Sequence, residues 1–182
     1  MGLANKISIF RILLAPCLVA LLLYYRPEHD HLRYLCVALF FLGMLTDAAD
    51  GFIARSQRQQ SQLGTILDPI ADKLLILSVL ISLSTIRAIP EWMRIPAWFN
   101  LIVISRDAIL VFGTMLLFAF TGKLTVQPSP LGKVTVVAQM LVIPIVLLKL
   151  PVKAEALMIA ATLTVLSSIG YIRKGSQLLA QG

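Results

Sequence analysis

The sequence predicts an all-α integral membrane protein of six transmembrane helices. Hydrophobic residues make up 58% of its 182 residues and charged residues only 14%, whereas soluble domains carry roughly 25% charged residues. The apolar residues come in long runs, each near the roughly 20 residues that cross a bilayer as a helix. Because no run alternates as a barrel strand would, helices are the way to satisfy the backbone in lipid.

The first three spans are predicted at residues 7–25, 32–50 and 63–86. The first is interpreted as an uncleaved helix, because its apolar residues continue past the short lipoprotein-like box at Cys17 as far as Tyr25. The second ends in aspartates and the third begins with them. Only a short polar loop separates these two spans, so we expect them to be antiparallel neighbours.

The last three spans are predicted at residues 96–120, 134–150 and 154–172. Each is a nearly continuous apolar run, and the last one stops before the basic pair Arg173 and Lys174. The connections between spans are short and leave no room for a second domain. We therefore expect a single transmembrane domain over residues 1–182.

Basic residues indicate the orientation of the chain. The net charge is +7, but the Lys and Arg residues form no stripe with aromatics, so a nucleic-acid partner is not expected; attraction to anionic lipid explains the charge better. The Lys and Arg residues are more frequent on the side of the membrane that carries both termini and the loops 55–62 and 121–133, whereas the acidic residues of the loops lie on the other side. Both termini are therefore predicted to be cytoplasmic.

Four carboxylates form the most informative pattern of the sequence. Asp47 and Asp50 lie three residues apart at the end of the second span, and Asp68 and Asp72 lie four apart at the start of the third. Residues at these spacings share one face of a helix. All four side chains are therefore expected to converge just below the cytoplasmic surface of the membrane.

An unneutralised cluster of this kind would be costly. Each Asp at a helix centre costs about 2.5–3.5 kcal/mol on insertion scales, and the like charges repel one another. Within this stretch only Arg55 and Lys73 are expected close enough to offset the acids, and two bases are too few for four acids. Carboxylate oxygens suit Mg²⁺ or Mn²⁺, so two such ions are the expected cofactors. The alternative, that a single Asp only pairs with a base or caps a helix, does not account for all four.

These residues read D-x2-D-G-x2-A-R-x8-G-x3-D-x3-D, from Asp47 to Asp72. The pattern resembles the signature of the CDP-alcohol phosphatidyltransferase family and has no departure from it. Its eight fixed positions span 26 residues, which makes the resemblance specific. The family has six membrane helices and cytoplasmic termini, so the resemblance covers nearly the whole chain.

The resemblance implies a role for each motif residue. Asp47, Asp50, Asp68 and Asp72 would hold two metal ions, and Asp72 would also act as general base on the acceptor hydroxyl. The nucleotide and pyrophosphate of CDP-diacylglycerol would be bound at Gly51, Arg55 and Gly64. The acceptor oxygen would attack the lipid-side phosphorus and expel CMP. The resemblance further implies a homodimer in a bacterial inner membrane, with the active site facing the cytoplasm.

Three further features resemble the phosphatidylglycerophosphate synthase branch of the family, which uses glycerol 3-phosphate. They are Asn5-x-x-Ser8-x-x-Arg11, Ser105-Arg106-Asp107 and Gly132-Lys133-x-Thr135-x3-Gln139. Asp107, where that branch often has Glu, favours the cardiolipin-type relatives, which use phosphatidylglycerol.

Arg11, Arg106 and Lys133 are the candidate acceptor-binding residues, and each has a second interpretation. Arg106 inside a span marks a functional site by default; it is compatible with binding an acceptor phosphate and equally with pairing to Asp107 or a site carboxylate. Lys133 is compatible with a snorkelling interfacial lysine. A divalent-cation transporter is the alternative of a different class. It is disfavoured because its carboxylates should lie near mid-bilayer in repeated halves, and no repeat is found.

Overall fold

The computed structural model describes residues 3–57, 62–121 and 129–180. Over these ranges the chain forms six α-helices and no strand, which confirms the all-helical prediction. Short 3₁₀ turns at Pro27–His29 and Glu91–Met93 precede α2 and α4. The helices are α1 (Leu3–Leu23), α2 (His31–Gln57), α3 (Gln62–Thr85), α4 (Ala97–Thr121), α5 (Pro130–Leu147) and α6 (Lys153–Ala180).

Length and composition agree with an integral membrane protein. Among the described residues, three helical segments are long and apolar enough to cross a bilayer: Glu91–Leu117, Pro130–Leu147 and Lys153–Gln177. Two shorter apolar helices, Ile7–Leu23 and His31–Thr46, accompany them. Each of the six predicted spans coincides with one of the helices.

Several helices extend beyond their predicted spans: α1 begins at Leu3, α2 ends at Gln57 and α6 ends at Ala180. Both ends of α5 differ for a local reason. Helix α5 begins at Pro130 rather than at residue 134, because the Ser129 hydroxyl accepts a hydrogen bond from the Gly132 N–H at 3.0 Å and caps the helix. Pro130 then occupies the first helical position, where its missing N–H costs nothing. The same helix ends early at Leu147, and Lys149 adopts a left-handed φ of 57°, a conformation that terminates helices.

The chain divides into two compact units, and the expectation of one domain stays a prediction. The first unit comprises Met1–Ile95 with Val146–Leu150. In it α1 packs against both α2 and α3. Its buried core consists of aliphatic and aromatic side chains at helical spacing, including Leu14, Leu18, Leu22, Phe40, Leu75, Val79 and Leu83.

The three helices of this unit meet closely at Gly43 of α2. A Cβ atom at this position would lie 2.9 Å from Leu75 Cδ1 and 3.1 Å from Leu14 Cδ2. Arg11 lies one turn before Leu14 in α1, and Asp72 lies one turn before Leu75 in α3. Arg11 and Asp72 are also in contact. The two helices therefore run parallel, and the starts of α1 and α3 lie at the same end of the unit.

Arg33 organises the opposite end of α2. Its guanidinium donates to both carboxylate oxygens of Asp30 at 2.7 and 2.6 Å and to the Leu147 carbonyl at 2.7 Å. It also lies over the Tyr34 and Trp92 rings, at 4.5 and 5.4 Å from their centroids. These bonds satisfy a carbonyl that the end of α5 leaves without a helical partner.

The second unit comprises Pro96–Ile145 with Pro151–Gly182. Helices α4 and α6 pack together where Gly113 makes room for Tyr171, whose hydroxyl donates to the Leu110 carbonyl at 3.2 Å and lies 2.8 Å from Thr114 Oγ1. Two buried polar contacts join α5 to α6. Gln139 Nε2 donates to Thr164 Oγ1 at 2.9 Å, and Thr135 Oγ1 donates to the Leu163 carbonyl at 3.1 Å.

Candidate active site

The acidic motif lies at the end of α2 and the start of α3. Asp47, Asp50, Gly51 and Arg55 belong to α2, and Gly64, Asp68 and Asp72 belong to α3. The helical interpretation of both segments is thus confirmed. Of the five side chains at these positions, that of Asp72 lies within the described part of the structure. The side chains of Asp47, Asp50, Arg55 and Asp68 and the surroundings of Gly51 and Gly64 lie outside it, so their roles stay predictions.

Asp72 forms an ion pair with Arg11 of α1. The Arg11 side chain is 2% exposed and that of Asp72 is 28% exposed. The arginine is therefore almost completely buried, whereas the carboxylate is partly accessible. Burying a guanidinium is costly unless a charge and hydrogen bonds compensate it. The Asp72 carboxylate supplies that charge, and it retains an accessible face for a ligand.

This pairing joins two residues that the sequence separates by 61 positions. Within the acidic stretch itself, the sequence indicated Arg55 and Lys73 as the bases close enough to offset the carboxylates. The structure adds a third cation from a different helix, because α1 and α3 run parallel with Arg11 and Asp72 at the same level. The Asn5-x-x-Ser8-x-x-Arg11 pattern was the signal that could have indicated it, since Ser8 and Arg11 share a buried helix face.

Arg106 lies in the interior of α4 and is 5% exposed. Its Nη1 donates to Asp107 Oδ1 at 2.9 Å, so the predicted pairing with Asp107 is present. Its buried Nε has no hydrogen-bond partner among the described residues. The ion pair with Asp107 therefore leaves the Arg106 Nε–H donor unused, and such a buried donor suits an anionic ligand.

The start of α5 lies beside this guanidinium. A Cβ atom on Gly132 would come within 3.4 Å of Arg106 Nη2 and 3.7 Å of Ser167 Oγ. Gly132 thus permits a buried cation to approach the amino-terminal turn of a helix, a position that favours anions. Lys133 is the next residue and its side chain is exposed.

The candidate acceptor residues are divided between the two units. Arg11 belongs to the first unit, whereas Arg106 and Lys133 belong to the second. The structure brings Arg106 to the turn that contains Lys133, and it brings Arg11 to Asp72.

Several contacts of these units were not predicted from the sequence. Gly43, which lets α1 and α3 approach α2, carries no motif signal. The hydrogen bonds of Arg33 were also not predicted. Arg33 lowers the pKa of the Asp30 carboxyl, because it donates hydrogen bonds to the charged form of Asp30. Both features lie outside the acidic motif and stabilise the unit that carries it.

Comparisons with known proteins indicate the family of the chain. The family model described as CDP-alcohol phosphatidyltransferase matches residues 1–167. A protein of Blochmanniella floridana named CDP-diacylglycerol–glycerol-3-phosphate 3-phosphatidyltransferase is 32% identical, over 96% of this chain and 91% of its own length. A Bacillus subtilis protein of the same name is 32% identical over 98% of this chain and 97% of its own length.

A probable phosphatidylglycerophosphate synthase of Mycobacterium tuberculosis is 29% identical over 95% of this chain. The family match covers residues 1–167, a range that contains the acidic motif and parts of both compact units. A transferase family therefore accounts for the chain, and the cation-transporter alternative is set aside. The chain is an enzyme of the CDP-alcohol phosphatidyltransferase family.

Proposed function

We propose that this enzyme transfers the phosphatidyl group of CDP-diacylglycerol to glycerol 3-phosphate and releases CMP, with Mg²⁺ or Mn²⁺ as cofactor. The observation that carries the proposal is the complete acidic motif, with Asp72 held at a buried arginine and open on its other side. The relatives named for this activity support it, because they align over nearly the entire chain.

The described contacts are compatible with two metal ions at the acidic motif. Asp47 follows Gly43 by one helical turn, and Asp72 precedes Leu75 by one turn. Because Gly43 and Leu75 are in contact, helix geometry brings positions 47 and 72 to the same level of α2 and α3. Four carboxylates with few compensating cations form the oxygen-rich, negatively charged donor set that Mg²⁺ and Mn²⁺ prefer.

Each residue of the motif has a separate proposed role in the reaction. Asp47, Asp50, Asp68 and Asp72 would hold the ions, which when bound neutralise charge on the pyrophosphate and on the departing CMP. Arg55 would bind a phosphate through its planar guanidinium, and Gly51 and Gly64 would let the nucleotide approach the backbone. Asp72 accepts the proton of the acceptor hydroxyl, whose oxygen then attacks the lipid-side phosphorus.

Arg106 supports a phosphorylated acceptor. A buried guanidinium with an unused donor, beside the first turn of an 18-residue helix, suits a phosphate dianion. Lys133 and Arg11 are the further candidates for acceptor binding. Phosphatidylglycerol, the acceptor of a cardiolipin synthase, is the second candidate, and Asp107 in place of Glu is the feature that favours it.

The proposed topology follows from the six helices. All six would cross the bilayer, with both termini and the acidic motif on the cytoplasmic side of a bacterial inner membrane, and the enzyme would form a homodimer. This arrangement lets a lipid donor reach the motif from within the bilayer while a small charged acceptor enters from water.

Release of CMP by the purified protein tests the proposal. The assay supplies CDP-diacylglycerol and Mg²⁺ or Mn²⁺, and compares glycerol 3-phosphate with phosphatidylglycerol as acceptor. Release that depends on glycerol 3-phosphate and is abolished by a chelator would support the proposal. Release with phosphatidylglycerol alone would make the protein a cardiolipin synthase, and release unaffected by the chelator would contradict the metal requirement.

A further inference from the structure

Arg11 has no assigned role beyond a candidate contact to the acceptor, yet its environment is unusual. It lies within α1 and is 1% exposed, and its guanidinium is directed at Asp72. In this position Arg11 neutralises part of the charge of the acidic motif, while the Asp72 side chain stays 28% exposed. It is a buried cation held against a carboxylate to which we also assign a metal ion.

A metal ion and Arg11 cannot both be close to one carboxylate without repulsion. A guanidinium about 5 Å from a divalent cation weakens binding of that cation by on the order of ten- to a hundredfold even at the dielectric constant of water, and by more at the lower dielectric constant of a protein site. Without the metal, the same guanidinium limits the repulsion among the carboxylates. Arg11 therefore stabilises the metal-free protein and destabilises the metal-bound protein.

We propose that Arg11 is the counter-charge of the acidic motif in the metal-free enzyme. It holds Asp72 in place until a divalent cation binds, and its charge sets the affinity for that cation. Arg11 is then a positioning residue that acts through Asp72, and this role replaces the acceptor contact for which the sequence made it a candidate. This inference rests on the metal site of the proposed function.

Binding of Mn²⁺ to the metal-free protein in detergent, without substrate, provides the test. We expect Arg11→Gln to bind Mn²⁺ about tenfold more tightly than the wild type, because the competing charge is gone. Arg11→Lys retains the charge and should stay within about threefold of the wild type. Arg33→Met is the matched control: it removes another buried arginine of the same unit, which pairs with Asp30, and should leave Mn²⁺ affinity unchanged.

Thermal unfolding gives a second readout. Without metal, Arg11→Gln should unfold at a lower temperature than the wild type, and added Mn²⁺ should raise its Tm by more than it raises that of the wild type. If Arg11→Gln cannot be purified, Asp72→Asn is compared with Arg11→Gln/Asp72→Asn. In the double variant Asp72 is replaced as well, so removal of Arg11 leaves no unpaired Asp72 carboxylate. The double variant should bind Mn²⁺ more tightly than Asp72→Asn alone.

The outcomes separate this inference from the proposed function. Equal Mn²⁺ affinity in the wild type and Arg11→Gln would overturn the counter-charge role while leaving the metal site intact. An unchanged Mn²⁺ affinity together with a raised KM for glycerol 3-phosphate would make Arg11 an acceptor ligand instead. Absence of Mn²⁺ binding by the wild type would overturn the metal site and this inference with it.

Discussion

At the scale of single residues, two buried arginines in the helices differ in what surrounds them. Arg11 is paired to a carboxylate of the acidic motif on another helix, whereas Arg106 is paired to its own neighbour Asp107. Burial of a charge without a structural need is costly. Each arginine is paired to a carboxylate that offsets this cost.

Asp72 provides the first prediction at this scale. Replacing it by Asn removes the proposed general base but keeps the size of the side chain, so turnover should fall by about 10²–10⁴-fold. Binding of CDP-diacylglycerol should persist. CMP release and donor binding are measured on the same preparation, with Asp30→Asn as the control because Asp30 pairs with Arg33 away from the motif. Robust turnover by Asp72→Asn would exclude the assigned role.

Arg106 provides the second. Arg106→Ala removes a charge-assisted contact to the acceptor phosphate, which should raise the KM for glycerol 3-phosphate by about 10- to 100-fold, the effect of roughly 1.5–3 kcal/mol. The KM for CDP-diacylglycerol should change much less. Asp107→Asn separates the alternatives, since it breaks the same ion pair and leaves the guanidinium in place. If both variants leave the acceptor KM unchanged, Arg106 is structural.

At the scale of elements, small residues decide where the helices touch. Gly43 lets α1 and α3 approach α2, and Gly113 lets the Tyr171 ring lie against α4. Gly132 lets Arg106 approach the start of α5. Close contact through small residues is the usual means of helix packing in membranes, where burial of apolar surface contributes little.

Gly113 can be tested by addition of a single methyl group. A Cβ atom there would lie 2.7 Å from Tyr171 Cε1, and the hydrogen bonds of the Tyr171 hydroxyl restrain the ring. Gly113→Ala should therefore destabilise the protein by about 1–3 kcal/mol, seen as a lower Tm in detergent. Gly170→Ala on α6 is the control, because nothing lies within 4 Å of its Cβ position. Equal Tm values for the two variants would contradict this account of the α4–α6 contact.

At the scale of the whole molecule, the six helices and the basic bias of the loops determine the proposed topology. An even number of crossings requires both termini to lie on the same side of the membrane, and the positive-inside tendency makes that side cytoplasmic. The acidic motif, at the end of α2 and the start of α3, then faces the same side as the chain termini.

Reporter fusions test this topology. A fluorescent protein that matures only in the cytoplasm should be bright when fused to either terminus of the full chain. Alkaline phosphatase, which is active only outside the cytoplasm, should be inactive at both positions. Its fusion after residue 90, between α3 and α4, should be active. Opposite results at the two termini would rule out six crossings.

The sequence alone determined the features that depend on local pattern. Apolar runs of bilayer length predicted all six helices, and the aspartate spacing with its glycines and arginine predicted the family and the acidic motif. These signals are readable because helical periodicity and the cost of burying charge in lipid act over a few neighbouring residues. Where an end was misplaced, as at α5, capping by Ser129 and the φ of Lys149 extended or shortened the helix independently of hydropathy.

Only the tertiary structure decided which distant residues meet. It paired Arg11 with Asp72, set Gly43 against Leu75, and brought Gly132 to Arg106. Such contacts depend on the register and direction of packed helices, and hydropathy carries no information about either. Because close packing and ion pairing between helices are set by the shapes of whole helix faces, the partner of a buried charge becomes known only once the helices are assembled.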